Sequence, residues 1–179
     1  MRRLLAALVI LAALVRPTTG QAQRGADLLT RMADGPEVTA PTFAAPKTLQ
    51  YKVSWDVTTG PTDPAEIVAG FRRPASFFRQ MDQQGVPRSN VKLAIIVHGT
   101  ATRSLLNNAA YKAATGKDNA SIALLEALHE AGVQIIVCGQ ALINRNVPRA
   151  ELLPFVKVAT SATAARAILA AQGYATWNE

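Results

Sequence analysis

Two runs of this chain, VKLAIIV (Val91–Val97) and VQIIVC (Val133–Cys138), are almost continuously apolar and β-branched. A strand with one face in water alternates apolar and polar residues, so runs like these need cover on both faces. Between them lies NASIALLEALHEAG, where Ile122, Leu125 and Leu128 share one helical face, Asn119 offers a cap and Gly132 a stop. Strand, helix, strand with both strands buried is the signature of a parallel sheet with helices on its faces.

The flanking segments extend the alternation. YKVSWDV (Tyr51–Val57) places Tyr51, Val53, Trp55 and Val57 on one side, and reads as a strand with one covered face or near a sheet edge. TTGPTDPAE then turns into a helix, with Asp63 as N-cap, Pro64 at the first position and Glu66 completing a capping box. Ile67, Phe71 and Phe78 fall on its inner face; Pro74 kinks it or starts a second segment, and Gly85 and Pro87 end it. PFVKVAT (Pro154–Thr160) is a third, weaker candidate for the sheet beyond VQIIVC's end. SATAARAILAAQG is a last helix capped by Thr160 or Ser161 and stopped by Gly173, and GYATW adds a short final strand or packs as a tail. The expected fold is α/β, a mainly parallel sheet of about four to five strands with helices on its faces.

The N-terminal residues read differently. Arg2 and Arg3 precede an unbroken apolar run from Leu4 to Val15, and Gly20 and Ala22 occupy the −3 and −1 positions of a cleavage site. The run is too short for a bilayer core and suits a signal peptide over residues 1–22. Pro17, Gly20 and the small-residue site favour cleavage over an N-terminal anchor, and no cysteine stands there to take a lipid. The expected location is therefore periplasmic or secreted, with no membrane association after cleavage. Residues 23–48, punctuated by Pro36, Pro41 and Pro46, read as a Pro-rich linker or arm with at most a short helical turn near Asp27–Met32. Residues 49–179 form the domain. Loss of Arg2, Arg3 and Arg16 with the leader lowers the formal net charge from +7 to +4. The remaining basic residues are scattered and aromatics are sparse, so no nucleic-acid partner is expected.

Chemistry concentrates at the strand ends, because sites in open parallel sheets form outside the carboxyl ends of the strands. His98 ends one buried run and Cys138 the other, and neighbouring strands 4.7–4.9 Å apart bring both to one rim. Cys138 is the single cysteine of the chain and precedes Gly139, Gln140 and a short helical piece. Free backbone N–H groups and a positive helix end favour a thiolate at such a point. Cys138 and His98 are the candidate catalytic residues, with Gly99, Gly139 and Gln140 as binding residues. A lone cysteine is also commonly an inert, buried small hydrophobe, and a histidine before glycine can serve only the loop backbone. Arg103, Asn107, Asn108 and Tyr111 are further candidates for the same rim. His129, in a helix's last turn, needs no functional reading. The chain has no GxGxxG, no GxSxG and no His/Cys cluster at zinc spacing, and TGKD (Thr115–Asp118) lacks the upstream glycine of a phosphate loop. Neither cofactor nor metal is expected.

VKLAIIVHGTA, a helix, GVQIIVCGQALINRNV and then LLPFVKVATSATAARAILAAQGYA resemble, in that order, the DsrE/DsrF-like sulfur-relay family, and in particular its exported, stand-alone branch. The opening strand with TTGPTDPAEI belongs to the same pattern, so the resemblance runs from about Leu49 to Trp177. It implies a three-layer α/β/α fold assembled as a homo-oligomer, a trimer or hexamer. It also implies a strand-end cysteine, here Cys138, that accepts sulfane sulfur as a persulfide from a thiol or sulfur-donor partner protein, without a cofactor. Against this sulfur-carrier reading stands a non-catalytic oligomeric binding or scaffold protein in which Cys138 is packed and inert.

Overall fold

The computed structural model describes residues 19–178. The apolar run Leu4–Val15 lies outside them, and no helix among the described residues is long and apolar enough to cross a membrane. The elements follow as α1 (Thr19–Met32), β1 (Tyr51–Val57), α2 (Arg73–Gln83), β2 (Val91–Val97), α3 (Asn108–Thr115), α4 (Ile122–Glu130), β3 (Gln134–Cys138), α5 (Gly139–Asn144), β4 (Lys157–Ala159), α6 (Ala162–Ala171) and β5 (Ala175–Trp177).

All five strands are parallel, in the order β4-β3-β2-β1-β5. The first four strands step in one direction across the sheet, and right-handed crossovers put their helices on one face. The return from β4 to β5 runs back past three strands, so α6 lies on the opposite face. Alternate residues of each strand feed the two cores. Val57, Leu93, Ile95, Val97, Ile135 and Val137 pack under α2 and α4, with Phe78, Leu125 and Leu128. Ala94, Ile96, Ile136 and Cys138 pack under α6, against Ala162, Ala165 and Leu169. This is the doubly covered parallel sheet expected from the two apolar runs and the three-layer α/β/α arrangement that the resemblance implies.

Three local expectations are corrected, and one helix is added. Tyr51–Val57 lies near a sheet edge, with only β5 beyond it, but it is not one-sided: its polar residues Ser54 and Asp56 are buried on the α6 face. No helix starts at Asp63. Its carboxylate accepts from the Ala65 N–H at 2.9 Å in an isolated turn, and Val68, fully buried with ψ 121°, breaks the path. The Val68 N–H donates to Ser121 Oγ, which anchors the chain in the core before α2 begins, with Pro74 in its first turn. The segment Asn108–Thr115 is a helix, capped by the Asn107 side chain on the Ala110 N–H and closed by Gly116 at φ +75°. Lastly, residues 23–48 are not wholly irregular. Gln23–Met32 belongs to α1, which packs across α2 and α4 and buries Leu29. The rest of the arm has no regular structure but is tied down: Arg79 donates to the Ala33 and Asp34 carbonyls, and the Ala45 N–H donates to Gln84 Oε1.

The docking of α1 has a measurable consequence. Leu29→Ala should lower stability by about 2–4 kcal/mol, as expected for a buried leucine truncated in a packed contact. Urea unfolding of the chain beginning at Gln23 measures it, and a change under about 0.5 kcal/mol, the size of a surface substitution, would contradict the packing.

Candidate functional site

The register fixes which strand-end residues meet. Val57, Val97, Val137 and Val158 are successive partners across the sheet, so His98, Cys138 and Ala159 follow one step further at a common level. The two-residue strand period puts Asp56, Ile96, His98, Ile136 and Cys138 on the same face, beneath α6. Cys138 is buried, and His98 retains 25% of its side-chain exposure. A cleft of about 410 Å³ opens beside them, lined by His98, Gly99, Cys138, Gln140, Asn144 and Arg145 among others.

Two further groups complete the site. Asp56, whose side chain is 3% exposed, pairs with Ile96, two residues below the level of His98; Arg166 reaches down from α6. The Arg166 guanidinium donates to Asp56 Oδ2 through both Nε, at 2.8 Å, and Nη2. The Asp56 hydrogen bonds raise the pKa of Arg166 above its ordinary value; partial burial opposes this, and Cys138 adds a smaller attraction. Arg166 is therefore a fixed cation within electrostatic reach of the only thiol. It is also the one charged residue of a helix otherwise built from Ala, Thr, Ile and Leu, and the spacing 162, 165, 166, 169 turns it to the side that faces the sheet.

His98 Nε2 lies 3.5 Å from both Asp56 Oδ2 and Arg166 Nη2. With a proton on Nε2 the imidazole donates to the carboxylate; without one it accepts from the guanidinium. Asp56 Oδ1 is buried with no hydrogen-bond partner among the described residues. That is a costly arrangement for an acceptor in a core, and one typical of functional sites.

The glycines are explained by close backbone approach. Gly99 has φ +59°, and a Cβ there would sit 2.5 Å from the Thr58 carbonyl oxygen. A Cβ on Gly139 would sit 2.8 Å from the Ala159 carbonyl oxygen. Only glycine lets the strand-end loops pack this tightly. Gly139 is buried, while Gln140 is exposed at the cleft and Gly99 borders it. Cys138 is the N-cap of α5 and makes no side-chain capping bond.

The other rim candidates separate. Asn107 caps α3, and Asn108 donates to Asp118 while accepting from the Asn119 N–H, so both serve the fold. Arg103 and Tyr111 line a neighbouring cleft that shares only Arg145 with the Cys138 cleft. His129 stacks on Phe155 with ring centroids 4.6 Å apart. Sequence reasoning passed over Asp56 and Arg166. Asp56 occupies the polar half of an alternating strand, which reads as solvent-facing. The available signals were an acidic residue next to last in a strand of a parallel sheet, and a lone arginine in an alanine-rich helix. Among the described residues no three His, Cys, Asp or Glu side chains converge as a metal site.

Comparison with known proteins places this geometry. The profile of the DsrE/DsrF-like family matches residues 55–177. A solved structure of a protein of unknown function, MTH1491 from Methanobacterium thermoautotrophicum, superposes with a TM-score of 0.54 at 13% identity, covering 73% of this chain and 100% of that one. It supports the fold. No curated protein matches the chain.

Removing Arg166 would leave the buried Asp56 carboxylate with only His98, at 3.5 Å, to answer it. Arg166→Ala should cost about 3 kcal/mol, the low end for a broken buried pair because Arg166 is itself 35% exposed. Arg166→Lys should recover part of that loss. Denaturant unfolding of both variants measures it, and equal stability of Arg166→Ala and wild type would contradict the buried pair.

Proposed function

The chain belongs to the DsrE/DsrF-like family, a membership that points to a sulfur-relay-type function, and from that premise we propose that it is a sulfane-sulfur carrier working through a persulfide on Cys138. The observation that carries this reading is the placement of the single thiol at the end of β3, level with His98 and within reach of the Arg166 cation.

The chemistry is a thiol–disulfide type of exchange. The Cys138 thiol gives its proton to solvent, and the thiolate attacks the outer sulfur of the donor. An S–S bond forms on Cys138, the donor's own bond to that sulfur breaks, and its electron pair leaves with the donor fragment. The product is a Cys138 persulfide anion, with no net oxidant or reductant consumed. Arg166, held by Asp56, offsets the negative charge of thiolate and persulfide alike. A partner's thiolate then attacks the terminal sulfur and returns Cys138 to the thiolate. The same proposal includes export through the N-terminal leader and assembly as a homo-oligomer. Assembly is supported by Ile168 of α6, which remains 55% exposed.

The burial of Cys138, 6% exposed, favours a second reading in which the thiol is packed and the protein binds a ligand or partner without chemistry. Intact mass before and after incubation with a sulfane-sulfur donor separates the two. The sulfur-carrier account expects the mass of one sulfur atom to appear, to be released by reductant, and to be absent in Cys138→Ser. A folded wild-type protein that gains no mass, or a Cys138→Ser variant that gains the same mass, would overturn it.

A further inference from the structure

A second cleft, of about 250 Å³, adjoins the one at Cys138. Gly60, Pro61 and Pro64 after β1 form one wall, and Thr100, Arg103 and Ser104 after β2 form another. Tyr111 closes the back, and Arg145, just past α5, stands in the walls of both clefts. The same backbone segment, His98 to Ser104, borders the thiol on one side and this second cleft on the other.

The charge here is unbalanced. Neither Arg103, which is exposed, nor Arg145, which is half-buried, has a carboxylate partner among the described residues. Water screens their mutual repulsion, and both guanidinium groups stay available to one anion in the cleft. Their planar, multi-donor geometry matches carboxylate and sulfonate oxygens. The remaining polar groups do not neutralise them. The Tyr111 hydroxyl donates to the Pro64 carbonyl at 2.9 Å. Burial raises the Tyr111 pKa above its ordinary value, a hydrogen bond with Ser104 opposing, so the phenol stays uncharged at neutral pH. Asp63 is the acidic group acting on this phenol, and its carboxylate accepts from the Ala65 N–H in the turn before Val68.

We propose that the cleft between Arg103 and Arg145 is an anion subsite that seats the carboxylate or sulfonate of a small sulfane-sulfur donor next to Cys138. This rests on the sulfur-carrier reading for the identity of the ligand, while the anion subsite itself is tested separately. A donor so held presents its outer sulfur to the thiol, and its anionic leaving fragment stays paired with the arginines as the S–S bond breaks.

The test compares two alkylating reagents of similar size, anionic iodoacetate and neutral iodoacetamide, on the folded protein. Arg103→Gln and Arg145→Gln should each slow iodoacetate about threefold, the size of one unit-charge interaction in a water-like dielectric, and leave iodoacetamide unchanged. Arg145→Lys should restore the iodoacetate rate, and about 1 M salt should erase the difference. Equal slowing of both reagents, or of neither, would overturn the subsite. A second readout does not need the thiol. Thiosulfate should raise the melting temperature more than chloride at matched ionic strength, and the excess should vanish in both glutamine variants; no excess in wild type would overturn the proposal. Sulfur loading from thiosulfate and from cysteine persulfide then identifies the source. The arginine variants slow the first if the site takes sulfonates, the second if it takes carboxylates, and both if it takes either. If sulfur loading fails while the iodoacetate preference stands, the sulfur-carrier reading falls and the anion subsite survives.

Discussion

The ion pair between Asp56 and Arg166 joins the layers of this protein at the point where its chemistry would occur. Asp56 lies near the carboxyl end of β1, a strand flanked by β2 and β5, with its side chain almost wholly removed from water. A carboxylate there is tolerable only if a cation and hydrogen bonds answer it. The cation comes from α6, the helix that returns the chain across the sheet to its opposite edge. The pair thus ties β1 to α6 over the ends of β2 and β3, and places a fixed positive charge beside the thiol.

The rest of the site depends on that arrangement. His98 takes its orientation from the same carboxylate and guanidinium, each 3.5 Å from Nε2. Cys138 packs against Ala162 and Ala165, whose small side chains let α6 lie close enough for Arg166 to reach Asp56. Gly99 and Gly139 allow the loops after β2 and β3 to nest against neighbouring carbonyl groups. A bulkier residue at any of these four positions would lift the helix or the loops away from the thiol.

Much of this was legible in the sequence, and the parts that were not share a physical cause. The runs Val91–Val97 and Val133–Cys138 announced a doubly covered parallel sheet because no other environment accepts such residues, and their ends located His98 and Cys138. Asp56 stayed hidden because alternation reports that one face of a strand differs from the other, not whether the polar face is wet. Here it is buried and paired through contacts more than a hundred residues away along the chain. Asp63 looked like a helix start by local rules, and the burial of Val68 overrode them. Helix α1 was obscured by its position beside an apparent leader, since its stability comes from packing on α2 and α4 rather than from its own residues. Helix α3, with an Asn cap and a Gly stop, carried ordinary signals that went unread next to the stronger helix after it.

The central claim is that Cys138, although packed under α6, is a working nucleophile in the folded protein. The most direct measurement is a thiol titration with the uncharged disulfide 4,4′-dithiodipyridine, run on native and on urea-unfolded protein. The account predicts one reactive thiol per native chain, reacting more slowly when Arg166 is replaced by Gln and at an unchanged rate once both proteins are unfolded. A thiol that is silent in the native state and appears only on unfolding would contradict the account and leave the strand-end cysteine as a packing residue.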